Sequence, residues 1–211
     1  MAQSTVPPSF PAPAPVSGAG AALADPGPLG LAAFAGTTFF LSVINTNMVS
    51  DRVTAGVLGL ALFYGGITQL LAGMWEFAKG NTFGAVAFSS FGAFWMSYWY
   101  LVDHVLPGLS SAKVTDINHA VGLYLLVWAI FTAYMTIAAS RVSLVVLGVF
   151  AFLTLTFVGL TIGALDGTPL NGWTKLGGWL GLVTALLAWY GSFAAVTNST
   201  YKRAILPTFP R

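Results

Sequence analysis

The feature that most limits the fold of this chain is its long uncharged runs, of which LVVLGVFAFLTLTFVGLTIGAL from Leu144 is the plainest. About 20 apolar residues in helical form cross the ~30 Å hydrocarbon layer of a bilayer. The runs lack the period-two alternation of barrel strands, so helices are the way their backbone polar groups can be satisfied in lipid. Only 7% of the residues are charged, against roughly 25% in a soluble domain. The sequence therefore describes an all-α integral membrane bundle.

Six spans are expected, at 29–49, 53–77, 83–106, 117–139, 143–164 and 176–198. The prolines fall outside these segments or at loop edges, as they should where a missing backbone donor cannot be replaced by water. Turns such as Ser50–Arg52 and Ser140–Val142 are short, so successive helices are expected as antiparallel neighbours in one transmembrane domain covering 25–200. Residues 1–24 hold five prolines, at 7, 8, 11, 13 and 15, and no Lys or Arg. They are unlike a secretory signal and are expected to form a disordered Pro/Ala-rich tail. Residues 201–211 form a basic C-terminal tail. An even number of spans puts both termini on one side, with Lys79, Arg141, Lys202, Arg203 and Arg211; Arg52, Lys113 and Lys175 lie opposite. The positive-inside rule makes the first side cytoplasmic, in a multi-pass protein of the plasma membrane.

Small residues recur four apart: Ala32 and Gly36, Ala55 and Gly59, Gly159 and Gly163, then Gly177, Gly181 and Ala185. Such faces serve close packing within one bundle or contact between subunits, and spacing alone leaves both open.

Ionisable residues inside a span are the first candidates for function. Glu76 stands three residues before Lys79, where a helical pair at the interface would neutralise both; the other reading is substrate or proton handling. Asp103 and His104 end the third span with the same ambiguity. With His104 and His119 the only histidines and no cysteine, neither a metal site nor a cofactor is indicated. The chain has neither a phosphate-binding loop nor a nucleophile elbow, so it is not expected to be an enzyme. A net charge of +2 gives no reason to expect nucleic acid as a partner. Membrane lipid is the partner that composition demands.

The middle of the bundle is instead polar without charge: Thr37, Thr38, Asn45 and Asn47 in the first span, Tyr64 and Gln69 in the second, Ser89 and Ser90 in the third. Facing lipid they would be unsatisfied, so they are expected to point to other helices or into a water-filled path. Thr37, Tyr64, Gln69 and Ser90 are the candidates for that path.

Residues 25–31, Asp25, Pro26, Gly27, Pro28, Leu29, Gly30 and Leu31, read DPGPLGL and resemble the Asn-Pro-Ala-Pro-Leu-Gly-Leu signature of the acetate uptake transporters. The family includes bacterial succinate/acetate permeases and yeast acetate and ammonia exporters. A longer similarity, FYGGITQLLAGMWEFAKGNTFGAVAFSSFGAFW, covers residues 63–95, and GLYLLVWAIFT, FLTLTFVGLTIG and GWLGL follow in order. The resemblance extends from residue 25 to about 207.

What it implies is a six-helix protomer with its own substrate path, assembled as a ring-like homohexamer and passing a small carboxylate such as acetate. It also implies a narrow apolar constriction whose Phe, Tyr and Leu positions fall on Phe34, Phe91 and Leu153. Phe91 thus stands where the family has a tyrosine, removing a donor from the neck. Asp25 replaces the signature asparagine and is expected to cap the first helix. Two alternatives stand beside acetate transport: the same fold with another small cargo, such as ammonia, succinate or lactate, and a membrane scaffold that transports nothing.

Overall fold

A computed structural model describes residues 23–109 and 111–211. The disorder expected for the N-terminal tail falls almost wholly outside these residues. Helix α1 is Gly27–Asn45. Helix α2, Asp51–Lys79, begins in a 3-10 turn (Asp51–Val53), widens into a π-helical stretch over Leu60–Thr68 and finishes as regular helix over Gln69–Lys79. Helix α3, Thr82–Tyr100, runs on through a π-helical turn, Leu101–Val105, and a last turn, Leu106–Gly108. The remaining helices are α4, Val114–Ala139, α5, Leu144–Asp166, and α6, Gly172–Tyr201. Among the described residues the only β pairing is an isolated antiparallel bridge between Ser143 and Pro210.

Five of these helices are long and apolar enough to cross a membrane. Helix α3 has the length, but its Ser, Trp and Tyr side chains lower its mean hydropathy. Helix boundaries follow local chemistry. Helix α1 stops at Asn45, four residues before the expected end, because Asn47 adopts a left-handed conformation (φ 65°) that breaks the helical hydrogen-bond ladder. Glycine takes the same conformation without a Cβ penalty at Gly80 (φ 81°), which ends α2 and lets the next helix start two residues later. Asn81, Ser143 and Asn171 cap α3, α5 and α6 through side-chain oxygens that accept the N–H groups of Gly84, Val146 and Thr174.

Neighbouring helices run α3, α2, α1, α6, α5, α4, and the ring closes by sparse contact between α4 and α3. Small residues set the spacing. A Cβ on Gly92 of α3 would lie 2.7 Å from Leu70 N and 2.9 Å from Gly66 O of α2. A Cβ on Gly159 would lie 3.3 Å from Gly177 N and Cα across α5 and α6, so these two small-residue sets pack helices within one chain. Ala55 and Gly59, by contrast, are exposed.

The C-terminal segment folds back over one end of the bundle. The Asn198 carboxamide accepts the N–H groups of Ile205 and Leu206 and donates to Leu206 O, while Tyr190 donates its hydroxyl to Pro207 O at 2.7 Å. Leu144 N then donates to Phe209 O, and Arg211 N to Val142 O. What composition presents as a basic tail is a strap that joins the end of α6 to the α4–α5 turn.

Candidate functional site

Three cavities lie one after another inside the ring. The first, about 200 Å³, opens at the end that carries Asp25 and Glu76 and is walled by Leu31, Phe34, Gln69, Phe83, Phe91 and Phe150 among others. The second, about 30 Å³, is bounded by Phe34, Thr38, Ser42, Trp95, Leu153 and Thr156. The third, about 210 Å³, faces the other end through Asn45, Tyr98, Tyr124 and Thr174. Phe34 and Leu153 line both the first and the second, and Leu41, Asn45, Phe94, Phe157 and Leu160 line both the second and the third. The middle cavity has the room of one or two waters.

Phe34 of α1, Phe91 of α3 and Leu153 of α5 are each 3% exposed and share one buried cluster. The Phe34 and Phe91 rings lie 5.5 Å apart. Phe91 is further enclosed by Phe131 at 5.4 Å, Phe150 at 6.0 Å and Phe157 at 6.5 Å. The side chains that separate the first cavity from the second carry no hydrogen-bonding atom.

Of the four polar candidates for the path, Gln69 lines the first cavity; it is 1% exposed and its Oε1 has no hydrogen-bond partner among the described residues. Thr37 points elsewhere. Its hydroxyl donates to Ala33 O at 3.0 Å, and it packs on Gly65 of α2. Tyr64 lies over Gly36 of α1, and Ser90 is half-buried; neither lines any of the three cavities.

Thr38, one residue on, does line the path. The other buried helical threonines donate to a carbonyl one turn back, as Thr132, Thr156, Thr161 and Thr184 do. The Thr38 hydroxyl makes no such bond and has no partner among the described residues. With Ser42 and Asn45 it forms a stripe on α1 at i, i+4 and i+7, beginning one turn after Phe34. That spacing was the available signal for Ser42, and it distinguishes Thr38 from Thr37.

The signature residues build the mouth. Asp25 Oδ1 accepts the Gly27 N–H at 3.0 Å, a cap made from just outside the helix, since Pro26 occupies the capping position. Pro28 O accepts the Ser192 hydroxyl at 2.7 Å, tying α1 to α6. A Cβ on Gly30 would fall 2.7 Å from the Phe88 ring, so only glycine permits this approach of α1 to α3. Leu31 faces the first cavity, and Leu29 is exposed.

The pair expected between Glu76 and Lys79 is not made. Lys79 Nζ sits 2.8 Å from Asp25 Oδ1, and Glu76 Oε2 instead accepts from Asn81 Nδ2 at 2.8 Å. Glu76 is 1% exposed and turned into the first cavity, whereas Lys79 lies at the rim. Both residues share a helix, but Gly80 turns the chain so that Asn81 folds over the Glu76 carboxylate. His104 and Asp103 pair at 3.3 Å on an exposed part of α3.

The sequence model of the GPR1/FUN34/yaaH family matches residues 10–210. Accumulation of dyads protein 2 from Saccharomyces cerevisiae is 40% identical over 94% of this chain and 69% of its own length. The succinate-acetate/proton symporter SatP from Escherichia coli K12 is 36% identical over 88% of this chain and 95% of its own length. The solved structure of the bacterial acetate channel SatP superposes with a TM-score of 0.79 at 35% identity, covering 88% of this chain and 99% of that one. The chain spans about two thirds of the length of the fungal relatives it matches, the share being 65% for the ammonia transport outward protein 2 of S. cerevisiae.

Proposed function

Because this chain belongs to the GPR1/FUN34/yaaH family, we infer that it is a membrane transporter moving acetate and related small carboxylates through a path inside each protomer. The observation that carries this reading is the series of three cavities through the ring, separated at Phe34 and Leu153 by side chains common to neighbouring cavities. Phe34, Phe91 and Leu153 act as the constriction in this reading. Gln69 on one side, with Thr38 and Ser42 on the other, are the polar groups a carboxyl group meets as it arrives and leaves. Uncharged donors suit a cargo that must bind and then be released.

The reading includes α3 as a sixth span. Three of its aromatic side chains, Phe91, Phe94 and Trp95, are buried in the core, so its modest hydropathy is compatible with crossing the bilayer. It places the protein in the plasma membrane with both termini cytoplasmic, which puts the Asp25–Lys79 mouth on the cytoplasmic side. Assembly as a homohexamer is supported by the resemblance and by outward faces that no helix of the same chain covers, such as Ala55 and Gly59, or Leu71, Met74 and Trp75. The test is labelled acetate uptake by liposomes containing only this protein. Uptake above that of protein-free liposomes is expected; uptake equal to theirs would leave a scaffold as the better reading.

A further inference from the structure

The six Asp and Glu residues of the chain are unevenly placed. Asp51, Asp103, Asp116 and Asp166 stand at the end of the bundle away from the mouth, at the start of α2, late in α3, at the start of α4 and at the end of α5. Asp25 and Glu76 share the mouth end with Lys79, Arg141, Lys202, Arg203 and Arg211. Asp25 is taken by Lys79, and Glu76 is turned into the first cavity with Asn81 upon it. Among the described residues, Arg141, Lys202, Arg203 and Arg211 therefore pair with no carboxylate.

Two of these four are brought together by the strap. Arg211 N donates to Val142 O at 3.1 Å and Arg211 Nη1 to Ser140 O at 3.5 Å, so Arg211 is tied to the residues on either side of Arg141. Both arginines are exposed, and like charges set so close repel unless an anion joins them. Ser140 O occupies one of the five N–H donors of Arg211, and among the described residues no group accepts from the Arg141 guanidinium. Planar guanidinium forks match the oxygens of a phosphate.

An apolar row leads away from this pair. Leu123, Val127, Ile130, Tyr134 and Ile137 are exposed and follow one another three or four residues apart on α4, and Arg141 continues the row. From Arg141 to Ile130 the chain rises about 16 Å in helical form, close to half of the ~30 Å hydrocarbon layer. That is the depth to which one acyl chain reaches. Leu144 and Phe209, joined through the strap, add exposed apolar surface beside the arginines.

We propose that this edge of the bundle is a binding site for an anionic phospholipid, whose phosphate lies between Arg141 and Arg211 and whose acyl chain lies along Ile137, Tyr134 and Ile130. The bound lipid neutralises the two charges that the strap brings together and so fastens the strap to the α4–α5 turn. The site requires only that the bundle lie in a bilayer, and it is independent of what the central path carries.

The test offers the full chain, in neutral detergent, an equimolar mixture of phosphatidylglycerol and phosphatidylcholine with matched acyl chains, and counts the retained lipids by native mass spectrometry. Retention of phosphatidylglycerol over phosphatidylcholine is expected. Each juxtamembrane arginine strengthens binding to an anionic lipid about fivefold, so Arg141→Gln combined with Arg211→Gln is expected to lower that preference by roughly tenfold or more. Lys202→Gln combined with Arg203→Gln removes the same charge from the same end and is expected to keep the preference within about twofold of the parent. Should the first double variant fail to fold, Arg141→Gln alone carries the comparison, with a loss of about fivefold expected. Inorganic phosphate in large excess is expected to leave the lipid bound, because it has no acyl chain to lie on α4. Absence of any preference in the parent chain, equal losses from the two double variants, or displacement of the lipid by phosphate would overturn the proposal.

Discussion

Lys79 reaches across 54 residues of sequence to Asp25, with 2.8 Å between Nζ and Oδ1, and leaves Glu76 to a neutral partner, Asn81. The rim of the first cavity is therefore an ion pair between the start of α1 and the end of α2, and both partners are partly exposed. Asp25→Asn keeps an oxygen for the Gly27 N–H and removes the ion pair. Exposed pairs contribute about 0–1 kcal/mol, so only a small fall in the midpoint of thermal unfolding in detergent is expected. A large fall would mean that the pair holds the mouth together.

Thr38→Val and Thr37→Val separate two adjacent hydroxyls with different surroundings. Removing the unpartnered Thr38 hydroxyl is expected to leave stability unchanged or slightly raised, because no hydrogen bond is lost. Acetate flux should fall by roughly fivefold, the equivalent of about 1 kcal/mol for one hydrogen bond to the cargo. Thr37→Val breaks the bond to Ala33 O without touching a cavity, so flux should stay within about twofold of the parent. Equal fluxes for the two variants would take Thr38 off the path.

That distinction marks where the sequence stops being informative. Helix α1 is apolar nearly all round, so hydropathy does not orient it, and a one-residue step turns a side chain by about 100°. The helical class and the helix positions were legible because uncharged length and proline placement are local properties. The Lys79–Asp25 pair and the strap fixed by Asn198 were not, since both depend on which chain ends the fold brings together. Glu76 and Lys79 looked like partners because they are close in sequence. Burial of Glu76 against the cavity and the turn at Gly80 give each a different one.

Leu153→Ala tests whether the wall between the first two cavities is a gate. In a packed core the change costs about 2–5 kcal/mol. Here it opens the 200 Å³ cavity into the 30 Å³ one. Flux of lactate or succinate relative to acetate is expected to rise. A parallel fall in thermal stability and acetate flux, with that ratio unchanged, would assign Leu153 to packing alone.

Phe91→Tyr returns a hydroxyl to the neck at nearly constant ring size. Surrounded by Phe34, Phe131, Phe150 and Phe157, the new group has the cargo or a cavity water as its partner. Acetate affinity or maximal rate is expected to change by severalfold with thermal stability nearly constant. A variant matching the parent in both kinetic parameters would show that position 91 does not meet the cargo.

Gly92→Ala probes the seam between α2 and α3. The added methyl would approach Leu70 N and Gly66 O at 2.7 and 2.9 Å, which only a shift of the helices relieves. A loss of about 1–3 kcal/mol is expected from overpacking, read as lowered thermal stability.

The π-helical stretch Leu60–Thr68 divides α2 into two halves that are indexed separately about the helix axis. A π turn accommodates a surplus residue, so tightening it to α would rotate one half against the other by about 100°. The π stretch itself packs on α1, and the half after it aims Gln69 and Glu76 into the first cavity. Insertions and deletions near Leu60 can therefore be absorbed where they occur.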